Sequence, residues 1–435
     1  MDSELPRTKP TEAAKGFAPP FRFRNFFRDL GPGLITGAAD DDPSGISTYS
    51  VSGAQFGYAP LWTAWFSFPL MAGVQLMCAR LGMVTGRGLA GVVRHRYPRP
   101  ILWGACTLLI IANVINIGAD LGGMAAATEM ATGVNVSIWA PIYAGLMVSL
   151  LFWSSYRQIA RLFKWLTLVL FAYVGSAFLA HPKWSEVLHA TLVPHIEWSK
   201  SFFAVLVGLF GTTISPYLFF WQCSQEVEEE RAMGRRTLAA RKGATPAEMH
   251  HALVDVVTGM FFSNSVMYFI ILTTAATLHA HGKTDIATAR QAAEALRPLA
   301  GNSAYWLFTL GIIGTGMLAI PVLAGSTAYA VAEAFAWGAS LNLKPAPARK
   351  FYSVLGVTLA LGMAVTYSGI SAIRMLFWSA VVNGVLAPPL IVLVLVLTSD
   401  RKLMGEHANS PLLRWLGWTS AGVMTFAAIF MFMAG

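Results

Sequence analysis

The chain has 435 residues, of which 55% are hydrophobic and only 12% are charged. This charged fraction is about half of that found in soluble proteins, so the composition excludes a soluble globular fold and indicates a polytopic membrane protein. Three cysteines, Cys78, Cys106 and Cys223, lie in apolar segments without paired spacing, so neither a disulfide framework nor a thiolate metal cluster is indicated.

Apolar windows of about 20 residues, the length that a helix needs to cross a bilayer, recur along the whole chain. The first 29 residues are polar and basic, and nothing in them resembles a cleavable signal peptide, so we expect residues 1–29 to form a cytoplasmic tail. The sequence predicts eleven membrane-spanning helices, at residues 31–57, 60–84, 101–130, 137–154, 159–180, 201–225, 251–278, 303–337, 351–368, 373–398 and 412–433. The long eighth window is the one most open to an internal break.

Lys and Arg residues sort between the two sides of the membrane when the amino terminus is placed in the cytoplasm. Twenty-five of the 31 then lie in inner segments, and the outer side keeps only Lys183, Lys200, Lys283, Arg290, Arg297 and Arg374. The sequence therefore predicts a multi-pass protein of the cytoplasmic membrane with its amino terminus inside and its carboxyl terminus outside. This topology and contact with anionic lipid explain the net charge of +9, so nucleic acid is not an expected partner.

Three acids and a proline interrupt the first predicted span. Asp40, Asp41, Asp42 and Pro43 lie between two apolar stretches, and ionisable residues at this depth are costly and usually mark a pathway or a site. The alternative is that Asp42 merely caps a packed helix while the other two acids lie in a short loop outside the membrane. The first apolar half would then be only about nine residues long, which is too short to span a bilayer.

A second interruption lies in the sixth predicted span, where Ser215 precedes Pro216 as Asp42 precedes Pro43. Each pair places an oxygen-bearing residue before a proline, the arrangement favoured at the N-cap and first position of a helix. The two prolines are 173 residues apart, and each break opens a block of five spans. Because five is an odd number, the second block must be inserted upside down.

Paired breaks in two inverted halves point to a substrate site near the bilayer midplane, where freed carbonyls can bind a cation. Pro216 alone would more often be a simple kink, and it is the pairing of the breaks that supports the inference. We therefore predict an all-α integral membrane protein with helices 1–5 at residues 30–180, helices 6–10 at 200–398 and helix 11 at 411–433.

Several motifs resemble the NRAMP family of divalent metal transporters over roughly residues 30–433. They are Gly31-Pro32-Gly33, the acid–proline turn eleven residues later, Gly211-Thr212-Thr213-Ile214-Ser215-Pro216, and the run from Thr398 to Gly405. The resemblance implies a LeuT-type fold, with two inverted five-helix repeats plus an eleventh helix, broken helices 1 and 6, and a metal ion bound between the two breaks.

Two departures from the family pattern bear on which ion is bound. Where the family has Asp-Pro-Gly-Asn in helix 1 and Met-Pro-His in helix 6, this chain has Asp42-Pro43-Ser44-Gly45 and Ser215-Pro216-Tyr217. A thioether favours softer transition metals, so its loss removes a reason to prefer Mn²⁺ or Fe²⁺ over Mg²⁺. Mg²⁺ commonly binds through one or two carboxylates and retained waters, and the chain resembles the NRAMP-related magnesium transporter branch. Mn²⁺ tolerates the same ligands, and ligand type alone does not exclude Ca²⁺.

We expect the ion to be held by the Asp42 carboxylate and the main-chain carbonyl of Thr212, with Ser215 and Asn383 contributing directly or through water. Gly45 completes this expected set. It stands at the position where the family has the asparagine of Asp-Pro-Gly-Asn. The alternative for Asn383 is an interhelical hydrogen bond.

The neighbouring acids are expected to act differently from Asp42. Successive helical residues turn by about 100°, so Asp40 and Asp41 cannot both share its direction. We expect them, together with Tyr217, to line the entry path or to raise the local negative potential.

Proton coupling is expected to be absent. In the family, a His in helix 6 and an Asp/Glu pair in helix 3 form a proton route. Here Asp120 keeps the Asp, but Gly123 stands where the Glu would be and Tyr217 replaces the His. Asp120 either keeps a role in the pathway or is a structural partner of Asn113 or Asn116.

The expected function is secondary transport of Mg²⁺ and Mn²⁺ by alternating access, in a monomer and without a cofactor. One alternative is a proton-coupled Mn²⁺/Fe²⁺ importer of the NRAMP type. A second is an amino-acid transporter of the same architecture, which the fixed carboxylate of Asp42 disfavours, and a third is a non-transporting metal sensor. No nucleotide-binding loop, nucleophile elbow or metalloprotease motif is present, so we do not expect an enzyme.

Two weaker features remain. Glu226, Glu228, Glu229 and Glu230 are expected to form a solvated face of helix 6 or to attract cations at the inner mouth. His279 and His281 resemble a small metal-binding pair in an outer loop, and we expect no function from them.

Overall fold

The computed structural model describes residues 31–153, 168–338, 340–341 and 345–433, and within these residues every regular element is helical. The main helices are α1 Pro32–Asp40, α2 Pro43–Phe56, α3 Trp62–Thr85, α4 Arg99–Thr132, α5 Val136–Trp153, α6 Ala172–Leu179, α7 Lys200–Thr213, α8 Pro216–Ala232, α9 Pro246–Thr277, α10 Ala304–Ala334, α11 Arg349–Thr366, α12 Ala372–Ser399 and α13 Pro411–Met433. Short helices in the connections include Leu89–Arg96 and Trp184–Leu192.

Eight helical segments in the described part of the chain are long and apolar enough to cross a membrane. They correspond to predicted spans 2, 3, 4, 6, 7, 8, 10 and 11. Span 1 is divided into two short halves, and span 9 is the 18-residue α11. The predicted fifth span is described only from residue 168, while the expected tail at 1–29 lies outside the described residues. The eighth span contains no break, because α10 runs continuously through Pro321.

The first break lies at the predicted acids. Helix α1 ends at Asp40, and Asp41 leaves the helical conformation with φ −80° and ψ 51°. Asp42 is extended, with φ −69° and ψ 171°, and Pro43 begins α2. Proline fits this first position because its missing N–H would have no intrahelical partner there. The Asp42 carboxylate accepts the N–H of Gly45 and so caps α2.

At the second break, the hydroxyl of Ser215 does not cap the helix that follows. Helix α7 ends at Thr213, and α8 begins at Pro216 after an extended Ser215. The sequence predicts a Ser215 cap like that of Asp42, but the Ser215 hydroxyl donates backwards to the carbonyls of Gly211 and Thr212, both at 2.7 Å. It therefore satisfies acceptors freed at the end of α7, and the N-terminus of α8 has no side-chain cap.

Both first half-helices are held by close contact with long helices. A β-carbon on Gly37 of α1 would lie 2.3 Å from the Gly259 carbonyl oxygen of α9, and one on Gly211 of α7 would lie 2.1 Å from the Ala380 carbonyl oxygen of α12. Only glycine permits such an approach of two backbones. Asp255 of α9 also accepts the N–H of Gly33 at 2.6 Å, so the start of α1 is anchored from the same helix.

Candidate metal centre

Asp42 is the most completely held of the three acids. Its side chain is buried, and its Oδ1 accepts the Ser44 hydroxyl at 2.6 Å and the Gly45 N–H at 2.7 Å. Its Oδ2 accepts the Asn116 amide at 2.9 Å. Two local donors and one from α4 thus fix the carboxylate, and Oδ2 keeps a lone pair for a further partner.

Asn116 is a site residue that the sequence analysis considered only as a partner for Asp120. Its amide nitrogen donates to Asp42, and its amide oxygen is buried with no hydrogen-bond partner in the described part of the chain. Asn113, one turn earlier, donates instead to the Leu323 carbonyl and to the hydroxyls of Ser326 and Thr327 on α10. The hydrogen bonds of the two asparagines in the described part of the chain thus go to Asp42 and to α10, and not to Asp120.

Thr212 and Ser215 lie together at the second break. The Thr212 carbonyl accepts the Ser215 hydroxyl, and both residues are buried. Donation of its proton leaves the Ser215 oxygen with its lone pairs, while the Thr212 carbonyl keeps one acceptor site. The pair therefore presents two oxygen ligands suited to a hard cation.

A tyrosine joins the two breaks. The Tyr217 hydroxyl, from the first turn of α8, donates to the Ala39 carbonyl of α1 at 3.2 Å. Its charged neighbours are Asp42, Asp40 and Asp120. The residue that replaces the family's histidine is therefore used to hold one of the freed carbonyls of α1, and it brings the second break against the first.

Gly45 offers no side-chain ligand, and its N–H is committed to Asp42. A β-carbon at this position would lie 3.2 Å from the Tyr49 hydroxyl and 3.4 Å from the Asp40 carbonyl oxygen. The Tyr49 side chain thus borders the space that an amide side chain would need, and the role of Gly45 visible in the geometry is to orient Asp42.

Asn383 lies on the face of α12 that packs against α7. The next residue, Gly384, approaches the Val207 carbonyl so closely that a β-carbon there would lie 2.2 Å from it. Both polar atoms of the Asn383 amide are buried and have no hydrogen-bond partner among the described residues. The alternative of an interhelical hydrogen bond is therefore wrong in this conformation, and the amide is available to a ligand.

Asp40 and Asp41 turn towards α9, away from the hydrogen bonds that hold Asp42. The Ser263 hydroxyl lies 2.6 Å from Asp40 Oδ2 and 3.3 Å from Asp41 Oδ1. Asp40 and Asp41 thus share a neighbour on α9, while Asp42 is held from α4. Both acids are buried between helices.

Asp120 lies on α4, one turn after Asn116, with its two carboxylate oxygens buried and without a hydrogen-bond partner among the described residues. Asp42 is its charged neighbour, and the backbone N–H of Ser44 is nearby. A β-carbon on Gly123 would lie 2.8 Å from a methyl of Leu376, so a glutamate there would have to displace that side chain.

One further sequence expectation is corrected. Glu226, Glu228 and Glu230 are buried, so they do not form a solvated face; Glu226 accepts the Gln222 amide at 2.8 Å and Glu228 accepts the Ser340 hydroxyl at 2.6 Å. His279 and His281, from which no function was expected, hydrogen-bond through their Nδ1 atoms to the carbonyls of Ala54 and Thr277.

The described residues contain no group of three or more His, Cys, Asp or Glu side chains arranged to hold a metal. A cation at the breaks would therefore be bound by a carboxylate, an amide, a hydroxyl, a main-chain carbonyl and water. This all-oxygen set suits hard cations such as Mg²⁺, Mn²⁺ or Ca²⁺ and lacks the soft ligands that select late transition metals.

Solved structures similar to this chain are transporters. A mutant of the Eremococcus coleocola manganese transporter aligns with a TM-score of 0.74 at 18% identity, covering 94% of this chain and 87% of that one. MhsT in complex with L-phenylalanine aligns with a TM-score of 0.56 at 12% identity, covering 92% and 98%. These likenesses confirm the LeuT-type fold, with two inverted five-helix repeats and an eleventh helix.

Curated relatives are similar over most of their length. The divalent metal cation transporter MntH of Xanthomonas campestris pv. campestris is 30% identical over 406 residues, which cover 91% of this chain and 88% of the relative. MntH of Aeromonas hydrophila is 28% identical over 399 residues, covering 89% and 91%. The relatives are transporters, which confirms that the chain is not an enzyme. Since the model of the Nramp family, natural resistance-associated macrophage protein-like, also matches residues 33–434, the chain belongs to the Nramp family.

Proposed function

We propose that this chain carries divalent metal cations, with Mg²⁺ and Mn²⁺ as its cargo, across the cytoplasmic membrane by alternating access. The observation that carries the proposal is the Asp42 carboxylate, buried at the first break and held by Ser44, Gly45 and Asn116. No Lys, Arg or His forms an ion pair with it among the described residues. The names of the relatives, divalent metal cation transporter and manganese transporter, support the same class of cargo.

The proposed ligands come from the first break, the second break and α12. Asp42 supplies the charge, Thr212 a carbonyl and Ser215 a hydroxyl oxygen. Asn383, whose amide has no partner among the described residues, supplies a neutral oxygen directly or through water. Gly45 contributes by its N–H, which orients the carboxylate. Water completes the shell of an ion such as Mg²⁺, which dehydrates reluctantly.

The selectivity proposed for Mg²⁺ rests on the absence of sulfur and imidazole from this set. Ser215 stands at the position of the family's thioether, so no soft ligand favours a late transition metal. Mn²⁺ shares the oxygen ligands and is proposed to share the path.

Transport is proposed to proceed without coupled protons. Tyr217 is engaged with the Ala39 carbonyl, and Gly123 faces Leu376 in place of an acid. The family's proton route uses a His in helix 6 and an Asp and a Glu in helix 3. Of these three titratable residues, this chain keeps only the Asp, as Asp120. The metal gradient and the membrane potential are then the driving forces, and 100 mV supplies about 4.6 kcal/mol for a divalent ion.

The orientation follows from the distribution of basic residues, with the amino terminus in the cytoplasm and the carboxyl terminus outside. We propose that the protein acts as a monomer within the lipid bilayer. An amino-acid substrate, as bound by MhsT, is less well supported because its carboxylate would lie beside the fixed carboxylate of Asp42.

The substitution Asp42→Asn should abolish Mg²⁺ and Mn²⁺ uptake into proteoliposomes that contain the purified protein. Asparagine is as good an N-cap as aspartate, so α2 should keep its start while the charge is lost. The matched control is Asp400→Asn, the same change at the N-cap of the short helix Arg401–Met404, and it should leave uptake unchanged. Internal pH, recorded in the same vesicles, should stay constant while the wild type takes up metal. Metal-driven acidification would contradict the absence of coupling.

Replacing a ligand oxygen by sulfur should shift the preference of the site. Ser215→Cys is nearly isosteric and should lower Mg²⁺ uptake while raising that of softer ions such as Cd²⁺, because sulfur favours soft metals. Ser420→Cys is the control, since this buried serine bonds its own helix in α13. Competition of each ion against labelled Mn²⁺ measures the shift. Equal selectivity in the wild type and Ser215→Cys would remove Ser215 from the proposed ligands.

Asn116 and Asn113 lie on one helix and should respond differently to substitution. Asn116→Ala removes a hydrogen bond from the proposed metal ligand, and loss of such a supporting contact typically weakens metal binding about tenfold. Asn113→Ala should lower the thermal unfolding temperature and leave the Mn²⁺ Kd unchanged, because its contacts are with α10. Calorimetry and a thermal melt separate the two effects. Unchanged binding in Asn116→Ala would show that it does not position Asp42.

A further inference from the structure

A groove lies where helices α12 and α13 reach one surface of the membrane. Its walls are the end of α12, the start of α13 and the end of the short helix Leu89–Arg96. Both α12 and α13 are long and apolar enough to cross a membrane, so the end of one and the start of the other mark its surface. The groove has a volume of about 560 Å³, within the range of about 300–1,000 Å³ that is typical of sites for small organic ligands.

The charged side chains of the groove leave an excess of positive charge. Among the described residues, Asp400 is the only acid in the lining, and both its oxygens are engaged. Its Oδ2 accepts the Arg96 guanidinium at 2.6 Å, and its Oδ1 accepts the backbone N–H of Lys402 at 2.8 Å. Arg96 is fixed by this contact and keeps further N–H donors. Arg414 is exposed and forms no ion pair within the described part of the chain, so the two guanidinium groups share one carboxylate and could bind an anion.

Hydroxyl groups add donors beside the arginines. The Ser399 hydroxyl accepts the Asn409 amide at 3.3 Å, which leaves its own proton available to a ligand. Tyr97, which follows the short helix, contributes a second hydroxyl to the lining. Guanidinium and hydroxyl donors together suit phosphate oxygens, each of which accepts more than one hydrogen bond.

The apolar part of the groove lies deeper in the membrane than its arginines. Val396 precedes the end of α12 by about one turn, and Trp418 follows Arg414 by about one turn of α13. Val396 is 43% exposed and Trp418 is 56% exposed, so both are open to an occupant. A soluble anion would leave this apolar surface uncovered. A phospholipid would cover it, because its phosphate lies at the membrane surface and its acyl chains lie below.

We propose that this groove binds one anionic phospholipid, with its phosphate on Arg96 and Arg414 and an acyl chain along Val396 and Trp418. Basic pockets between membrane helices are known sites for anionic lipid head groups. A tryptophan near the membrane surface fits the same boundary, where aromatic side chains are enriched. Asp400 has the supporting role of holding Arg96 in place. The site is separate from the two breaks and does not depend on the proposed metal ligands.

The test is native mass spectrometry of the full-length protein in detergent, titrated with phosphatidylglycerol or with zwitterionic phosphatidylcholine. The wild type should bind one phosphatidylglycerol roughly tenfold more tightly than phosphatidylcholine. Arg96→Gln/Arg414→Gln should weaken phosphatidylglycerol binding roughly thirtyfold, about fivefold for each positive charge removed. The matched control, Arg349→Gln/Arg374→Gln, removes two exposed arginines from the first turns of α11 and α12, outside the groove, and should leave binding unchanged.

Further arms of the experiment separate a lipid site from other occupants. Glycerol 3-phosphate, which has the phosphate without acyl chains, should not displace the lipid at equal concentration. Equal affinity of the wild type for the two lipids, or an equal loss of binding in the control variant, would overturn the proposal. So would displacement by glycerol 3-phosphate, which would assign the groove to a soluble anion. A dimer without lipid that is lost in Arg96→Gln/Arg414→Gln would assign it to a second copy of the chain.

Discussion

The arrangement depends on one buried carboxylate placed where a membrane helix is interrupted. Asp42 caps α2 through Gly45, accepts Ser44 and is held from α4 by Asn116. Burying this charge without a basic partner is costly, and the cost falls when a cation is present. The geometry that allows the helix to restart at Pro43 therefore also buries a carboxylate that a bound cation would stabilise.

The first half-helices α1 and α7 make few contacts with each other, which suits a protein that must open on either side of its cargo. Tyr217 bonds the end of α1, while Gly37 and Gly211 seat the first half-helices closely on α9 and α12. The half-helices are thus bound firmly to their supporting helices and more lightly to each other. In the proposed mechanism, a cation bound by Asp42, Thr212 and Ser215 would add the contact that draws the two breaks together.

Features encoded locally could be predicted from the sequence, while contacts between distant segments could not. The break before Pro43 follows from proline and from acids in an apolar window, and α2 begins there as predicted. By contrast, Asn116 with Asp42, Tyr217 with Ala39 and Ser263 with Asp40 join residues 74, 178 and 223 positions apart. One sequence does not reveal which polar side chains of different helices meet. Ser215 shows a subtler limit, because a serine at a break can cap forwards or bond backwards.

The most direct test of the central claim is the position of Mn²⁺ in crystals of the full-length protein, located by anomalous X-ray scattering. The account predicts a peak between the two breaks, within coordination distance of the Asp42 carboxylate and close to the Thr212 carbonyl and Ser215. A bound ion that leaves Asp42 uncoordinated, or that lies away from both breaks, would contradict it.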